Sequence, residues 1–174
     1  MHVEDRLAPS ELLARWRALQ DGELEIKDDY YELNERGEIV VTPRPTLFHQ
    51  AYGGYVASQL FAQLGDLVVS EASVLTLAGI LVPDVVWMPL ERWEGLSRED
   101  PLAFAPDVCV EILSKSNTTL DIARKTKAYL DGGAKEVILV GMDGQISYWG
   151  HDGESKSSRL GLTLNISPTL LPRS

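Results

Sequence analysis

Asp84 in "VPDVVWM" and Glu111 in "VCVEILS" each place a carboxylate within a short apolar run of strand-forming residues. A carboxylate taken out of water without a partner or a metal is costly or takes up a proton. Side chains alternate along a strand, so Asp107, Cys109 and Glu111 share one face of "PDVCVEIL", while Val108, Val110 and Ile112 share the other. Neighbouring strands lie about 4.8 Å apart, so Asp84 and Glu111 can converge on one divalent cation if they share a face. Hard oxygen donors favour magnesium or manganese over zinc. Such an ion lowers the pKa of a bound water and offsets charge on a phosphoryl group, which is the chemistry of phosphodiester hydrolysis.

That chemistry wants a lysine, and the helix after Glu111 offers one. Thr118 and Asp121 have capping-box-like spacing, and Asp131-Gly132-Gly133 supplies the stop. Helical periodicity turns Ile122, Thr126, Tyr129 and Leu130 toward a sheet and leaves Arg124 and Lys127 to water or to a backbone phosphate. Lys125 lies beside Ile122 and Tyr129 and can reach the carboxylates. Lys115 shares strand parity with Glu111 and is the second candidate. Asp107, following Pro106, reads as a backbone-bonding turn residue outside the site.

The elements that must position these groups alternate between helix and strand. "PSELLARWRALQDG" is an amphipathic helix, and "LEIKDDYYEL" and "EIVVTP" read as a hairpin around "NERG". A second helix covers Leu47 to Leu64, where close packing on a sheet would account for Gly53 and Gly54. "SVLTL" and "ILVPDVVWM" read as paired strands with Pro83 at an edge or bulge. After a loop from Pro89 to Ala105 and the "PDVCVEIL" strand come the Lys125 helix and the buried strand "KEVILVG". Asp143-Gly144 turns the chain into "QISYWG", and "LGLTLNIS" reads as a last strand. The fold class is α/β: a mixed β-sheet core flanked by helices, with an N-terminal helix and β-hairpin and C-terminal strands.

With 174 residues, 44% of them hydrophobic, the chain suffices for one domain over 1–174. The formal charge of −10 argues against a nonspecific nucleic-acid coat. Residues 1 to 38 hold 11 acids against 5 bases, whereas Lys115, Arg124, Lys125 and Lys127 are opposed only by Asp121, so a local basic patch is expected there. A single cysteine excludes an internal disulfide and fits a reducing compartment. No run approaches the roughly 20 apolar residues of a membrane span, and the N-terminus is acidic where a signal peptide would be basic, so a cytoplasmic protein is expected.

"YELNERGEIVVTPRPTLFHQ", "LVPDVVWMP", "APDVCVEILSKSN" and "DIARKTKAYLDGGAKEVILV", in this order, resemble the Uma family, a restriction-endonuclease-like branch of the PD-(D/E)XK nuclease superfamily. The resemblance covers most of the chain. It implies the restriction-endonuclease-like α/β core and metal-dependent hydrolysis of a nucleic-acid phosphodiester, with magnesium or manganese held by Asp84 and Glu111 and DNA as substrate. Asp84 matches the "PD" aspartate and Glu111 the acid of the second half-motif, whose lysine slot is Leu113; Lys125 matches the family's helix lysine, four residues before Tyr129. Glu32 of "YEL" and His49 of "FHQ" match recurrent positions and join the site. The family's Ser-Pro-Ser is Ser114-Lys115-Ser116 here.

Two function classes follow: a DNA-cleaving enzyme, or a nuclease fold that serves as a catalytically weak or inactive binding or regulatory module. Intact Asp84, Glu111 and Lys125 favour the first and the acidic chain the second. A homodimer suits either, since two copies can address both DNA strands.

Overall fold

The computed structural model of the chain describes residues 6–26 and 30–173. Helix α1 (Pro9–Gln20) begins with Pro in its first turn and packs Leu12, Trp16 and Leu19 on a small sheet. That sheet is built from β1 (Tyr31–Asn34), β2 (Ile39–Val41), β4 (Val74–Thr76) and β5 (Gly79–Leu81), in the order β2-β1-β5-β4. At Gly79, φ is +115° and a Cβ would stand 1.9 Å from the Leu33 carbonyl oxygen, so only glycine lets β1 and β5 meet.

The larger sheet contains β3 (Leu67–Ser70), β6 (Val85–Met88), β7 (Val108–Ile112), β8 (Glu136–Val140), β9 (Ile146–Gly150) and β10 (Gly153–Ser155), in the order β10-β9-β8-β7-β6-β3. Only β7 and β8 run parallel, because α3 (Thr119–Asp131) crosses over between them. Helix α2 (Leu47–Leu64) covers the face that carries Val85, Val108, Val110 and Ile112. Helix α3 covers the opposite face, where Tyr129 and Leu130 meet Val86, Cys109 and Val137. The alternation read in "PDVCVEIL" is therefore real: β7 sends its odd residues to α3 and its even residues to α2.

Several expectations need correction. "ILVPDVVWM" is not one strand; it breaks at Pro83-Asp84, with β5 in the small sheet and β6 in the large one. Pro83 lacks the N–H that a continuous ladder would require. The first hairpin strand is confined to Tyr31–Asn34; residues 27–29 of the expected run lie outside the described residues. Two strands not expected from the sequence, β3 and β10, flank the large sheet at its edges.

"LGLTLNIS" runs without a strand partner. Its leucines cover the α2 side of the core, while Gln63 exchanges two hydrogen bonds with the Thr163 backbone and Gln59 two with that of Asn165. Glutamine side chains of a helix thus replace a neighbouring strand. Close packing does not explain Gly54, which has open space where a Cβ would stand, and at Gly53 a Cβ would make only an ordinary 3.9 Å contact with Val85.

Candidate active site

Strands β6 and β7 run antiparallel with Val85 opposite Val110, and Asp84, one residue before β6, stands at the same end of the pair as Glu111, with its Oδ2 3.5 Å from His49 Nε2. Because β6 starts one residue after Asp84, Ile112 keeps Val140 of β8 as its ladder partner but has none on the β6 side, where two side chains take over. Asp84 Oδ2 accepts from the Ile112 N–H at 2.6 Å, and His49 Nε2 donates to the Ile112 carbonyl at 3.0 Å. His49 stands in the first turn of α2, where its own N–H bonds the Thr46 cap. The break at Pro83 thereby becomes the end of a sheet at which an aspartate, a glutamate and a histidine gather.

Glu111 is buried, and its Oε1 accepts from the Tyr129 hydroxyl at 2.6 Å and meets Lys125 Nζ at 3.4 Å. Lys125 and Tyr129 are one helical turn apart and so reach the same oxygen from the same face of α3. Glu32, on β1, is also buried; its Oε1 accepts from Lys125 Nζ at 2.8 Å and from the Val82 N–H at 2.7 Å. The five residues expected at the site, Glu32, His49, Asp84, Glu111 and Lys125, are drawn together by β1, α2, the β5–β6 link, β7 and α3.

The electrostatics are those of a site short of positive charge. Burial pushes the Glu111 carboxyl up to about 7; Lys125 opposes this, and Asp84 and Glu32 add to it. Burial likewise pushes Asp84 up to about 6, against the Ile112 hydrogen bond and Lys125, and with nearby Glu71 adding its charge. Lys125 is raised despite its own burial, because Glu111 and Glu32 hold its proton. Burial lowers His49, so the imidazole is neutral at neutral pH. Its Nε2 carries the proton given to the Ile112 carbonyl, which leaves Nδ1 buried without a hydrogen-bond partner.

Among the described residues no group of three or more His, Cys, Asp and Glu is placed to hold a metal ion. A magnesium ion asks for less, because it keeps several waters and takes one or two carboxylates. Asp84 and Glu111 are the residues that could hold one: Oδ1 of the first and Oε2 of the second bond no described residue, and neither is a sealed, unsatisfied atom. Each carboxylate has one oxygen pinned and one free for a hard cation.

Outside this cluster the basic patch read from the sequence dissolves. Arg124, expected in water, donates to the Ala78 carbonyl at 3.1 Å and lies 3.6 Å from Glu35, while Lys127 pairs with Asp131 at 2.6 Å. Strand β7 ends at Ile112, so the parity argued for Lys115 lapses; Lys115 sits exposed in a turn and makes no ion pair with a described residue. Asp107 is no backbone-bonding turn residue: its side chain is 1% exposed and pairs with Arg92 and Lys135. Tyr129, expected only to face the sheet, also reaches the site, and its position one turn after Lys125 on the same face is the sequence signal of that reach.

The α/β fold has been solved before: the chain is similar to the crystal structure of a "putative nuclease belonging to DUF820" from Anabaena variabilis, with a TM-score of 0.63 and 19% identity, over 78% of this chain and 80% of that one. Residues 17–172 match the family model Uma2, described as "Putative restriction endonuclease", and the chain belongs to that family. No curated protein matches the chain. No helix among the described residues is long and apolar enough to cross a membrane.

Proposed function

We propose that this protein is a divalent-metal-dependent endonuclease that hydrolyses DNA phosphodiester bonds, working in the cytoplasm as a single domain over 1–174 and pairing as a homodimer to address both strands. The observation that carries the reading is the gathering of Asp84 and Glu111 at one end of the β6–β7 pair, each with one oxygen held by a hydrogen bond and one that bonds no described residue. These two residues would hold magnesium or manganese. When bound, such an ion supplies an activated water and offsets charge on the phosphoryl group.

The remaining groups act around that pair. Lys125 supplies the fixed positive charge that faces the developing negative charge on the phosphate, and Glu32 keeps its ammonium in place across from Glu111. Neutral His49 fixes the end of β7 through the Ile112 carbonyl and so sets the position of Asp84. Exposed Lys115 is available to the DNA backbone.

A second reading, a binding or regulatory module with weak or no catalysis, draws support from the net charge of −10 and from Lys125, already occupied by two carboxylates. Incubation with DNA and RNA substrates in magnesium, in manganese and in chelator separates the two. DNA cleavage that requires the metal supports the enzyme; nucleic-acid or partner binding without cleavage in any metal supports the module.

A further inference from the structure

Tyr129 is wholly buried, yet its hydroxyl is not idle: it donates to Glu111 Oε1 at 2.6 Å, shorter than the 3.4 Å approach of Lys125 to the same oxygen. The ring is packed among Val86, Cys109 and Val137, which leaves it little freedom to turn away. A carboxylate with two donors on one oxygen has its rotation fixed, and the other oxygen is presented in a single direction. For Glu111 that other oxygen is Oε2, the one that bonds no described residue.

We propose that Tyr129 is a positioning residue of the candidate metal site: by holding Glu111 Oε1, its hydroxyl aims Oε2 at the cation that Glu111 shares with Asp84. The inference rests on the proposed metal-dependent reading and deepens it. Lys125 cannot do this alone, because its ammonium is divided between Glu32 at 2.8 Å and Glu111 at 3.4 Å and is bound more closely to Glu32. Without the tyrosine hydroxyl, Glu111 is free to swing toward Lys125. Partners that orient a metal ligand typically change affinity by about 10- to 100-fold when removed.

The test is manganese binding to metal-free protein, followed by calorimetry, for the wild type, Tyr129→Phe, Glu111→Gln and Leu130→Ala. Phenylalanine keeps the ring in its packing and removes only the hydroxyl. Leu130→Ala disturbs the same apolar cluster without touching a carboxylate, and serves as the measure of loosened packing alone. The expected result is manganese affinity lowered about 10- to 100-fold in Tyr129→Phe, lost in Glu111→Gln and unchanged in Leu130→Ala. Wild-type affinity in Tyr129→Phe alongside loss in Glu111→Gln would overturn the assignment of Tyr129 and leave the metal site standing. Equal weakening in Tyr129→Phe and Leu130→Ala would overturn it as well, by tracing the effect to packing. A wild type that binds no manganese would overturn both the assignment and the metal-dependent reading on which it rests.

Discussion

Lys125 Nζ lies 2.8 Å from Glu32 Oε1, so the helix of the large sheet and a strand of the small one are joined at the site by a buried ion pair. The lysine is shared among carboxylates that outnumber it. Removing it leaves buried acids without a cation, and breaking one side of a buried pair costs about 3–5 kcal/mol. Lys125→Met should lower the stability of the metal-free protein by about that amount, as read by urea denaturation, and magnesium should recover part of the loss. A midpoint within error of wild type would show that Lys125 does not hold the two sheets together.

Stability should also fall with rising pH. Asp84 and Glu111 keep their protons up to about 6 and about 7 in the folded state, whereas their ordinary values are 3.8 and 4.5. Between those limits the folded chain binds more protons than the unfolded one, so unfolding becomes easier as pH climbs and the deficit persists above pH 7. Lys125 stays charged throughout this window and contributes no slope there, whereas His49, lowered by burial, binds its proton more weakly when folded and opposes the trend as a single group against two carboxylates. Thermal melts of metal-free protein should drop from pH 4 to pH 8, and manganese should flatten the trend by favouring the ionised carboxylates. A melting temperature that rises over that range in chelator would reverse the sign.

Lys115 separates binding from folding. Exposed and without an ion pair among the described residues, it should tolerate Lys115→Ala within about 0.5 kcal/mol of wild-type stability. If it meets the DNA backbone, the variant binds DNA more weakly and the slope of log affinity against log salt falls by about one. An unchanged salt slope would remove Lys115 from the DNA-binding surface.

Gly79 tests the small sheet that carries Glu32. A methyl group there would collide with the Leu33 carbonyl at 1.9 Å in a backbone conformation that suits glycine. Gly79→Ala should therefore be strongly destabilised and yield little folded protein, measured by circular dichroism and yield after expression. Near-wild-type melting would contradict the pairing of β1 with β5.

The fold class and the faces taken by the candidate side chains were legible in the sequence, and the strand boundaries between them were not. Period-two alternation in "PDVCVEIL" and the helical spacing of Ile122, Lys125 and Tyr129 report directly which side chains share a face, and these features set Glu111 and Lys125. Pro83-Asp84 misled, because an apolar run on both sides of a proline looks like one strand with a bulge until two separate sheets are seen to claim its halves. "LGLTLNIS" misled in a different way: alternation shows an extended backbone with one apolar side, but whether its N–H and C=O groups meet a strand or glutamines of a helix is decided elsewhere in the chain, here at Gln59 and Gln63. Arg124 and Asp107 escaped because a local pattern shows which way a charge faces and not which distant group waits there.

The most direct test of the account is cleavage of supercoiled DNA in magnesium or manganese by wild type and Glu111→Gln purified in parallel. Glutamine keeps the volume of the side chain and removes the charge that a hard cation requires. The account predicts metal-dependent nicking by the wild type and none by the folded variant, whose DNA binding is retained or improved as repulsion of the phosphate lessens. Equal cleavage by both proteins would contradict it.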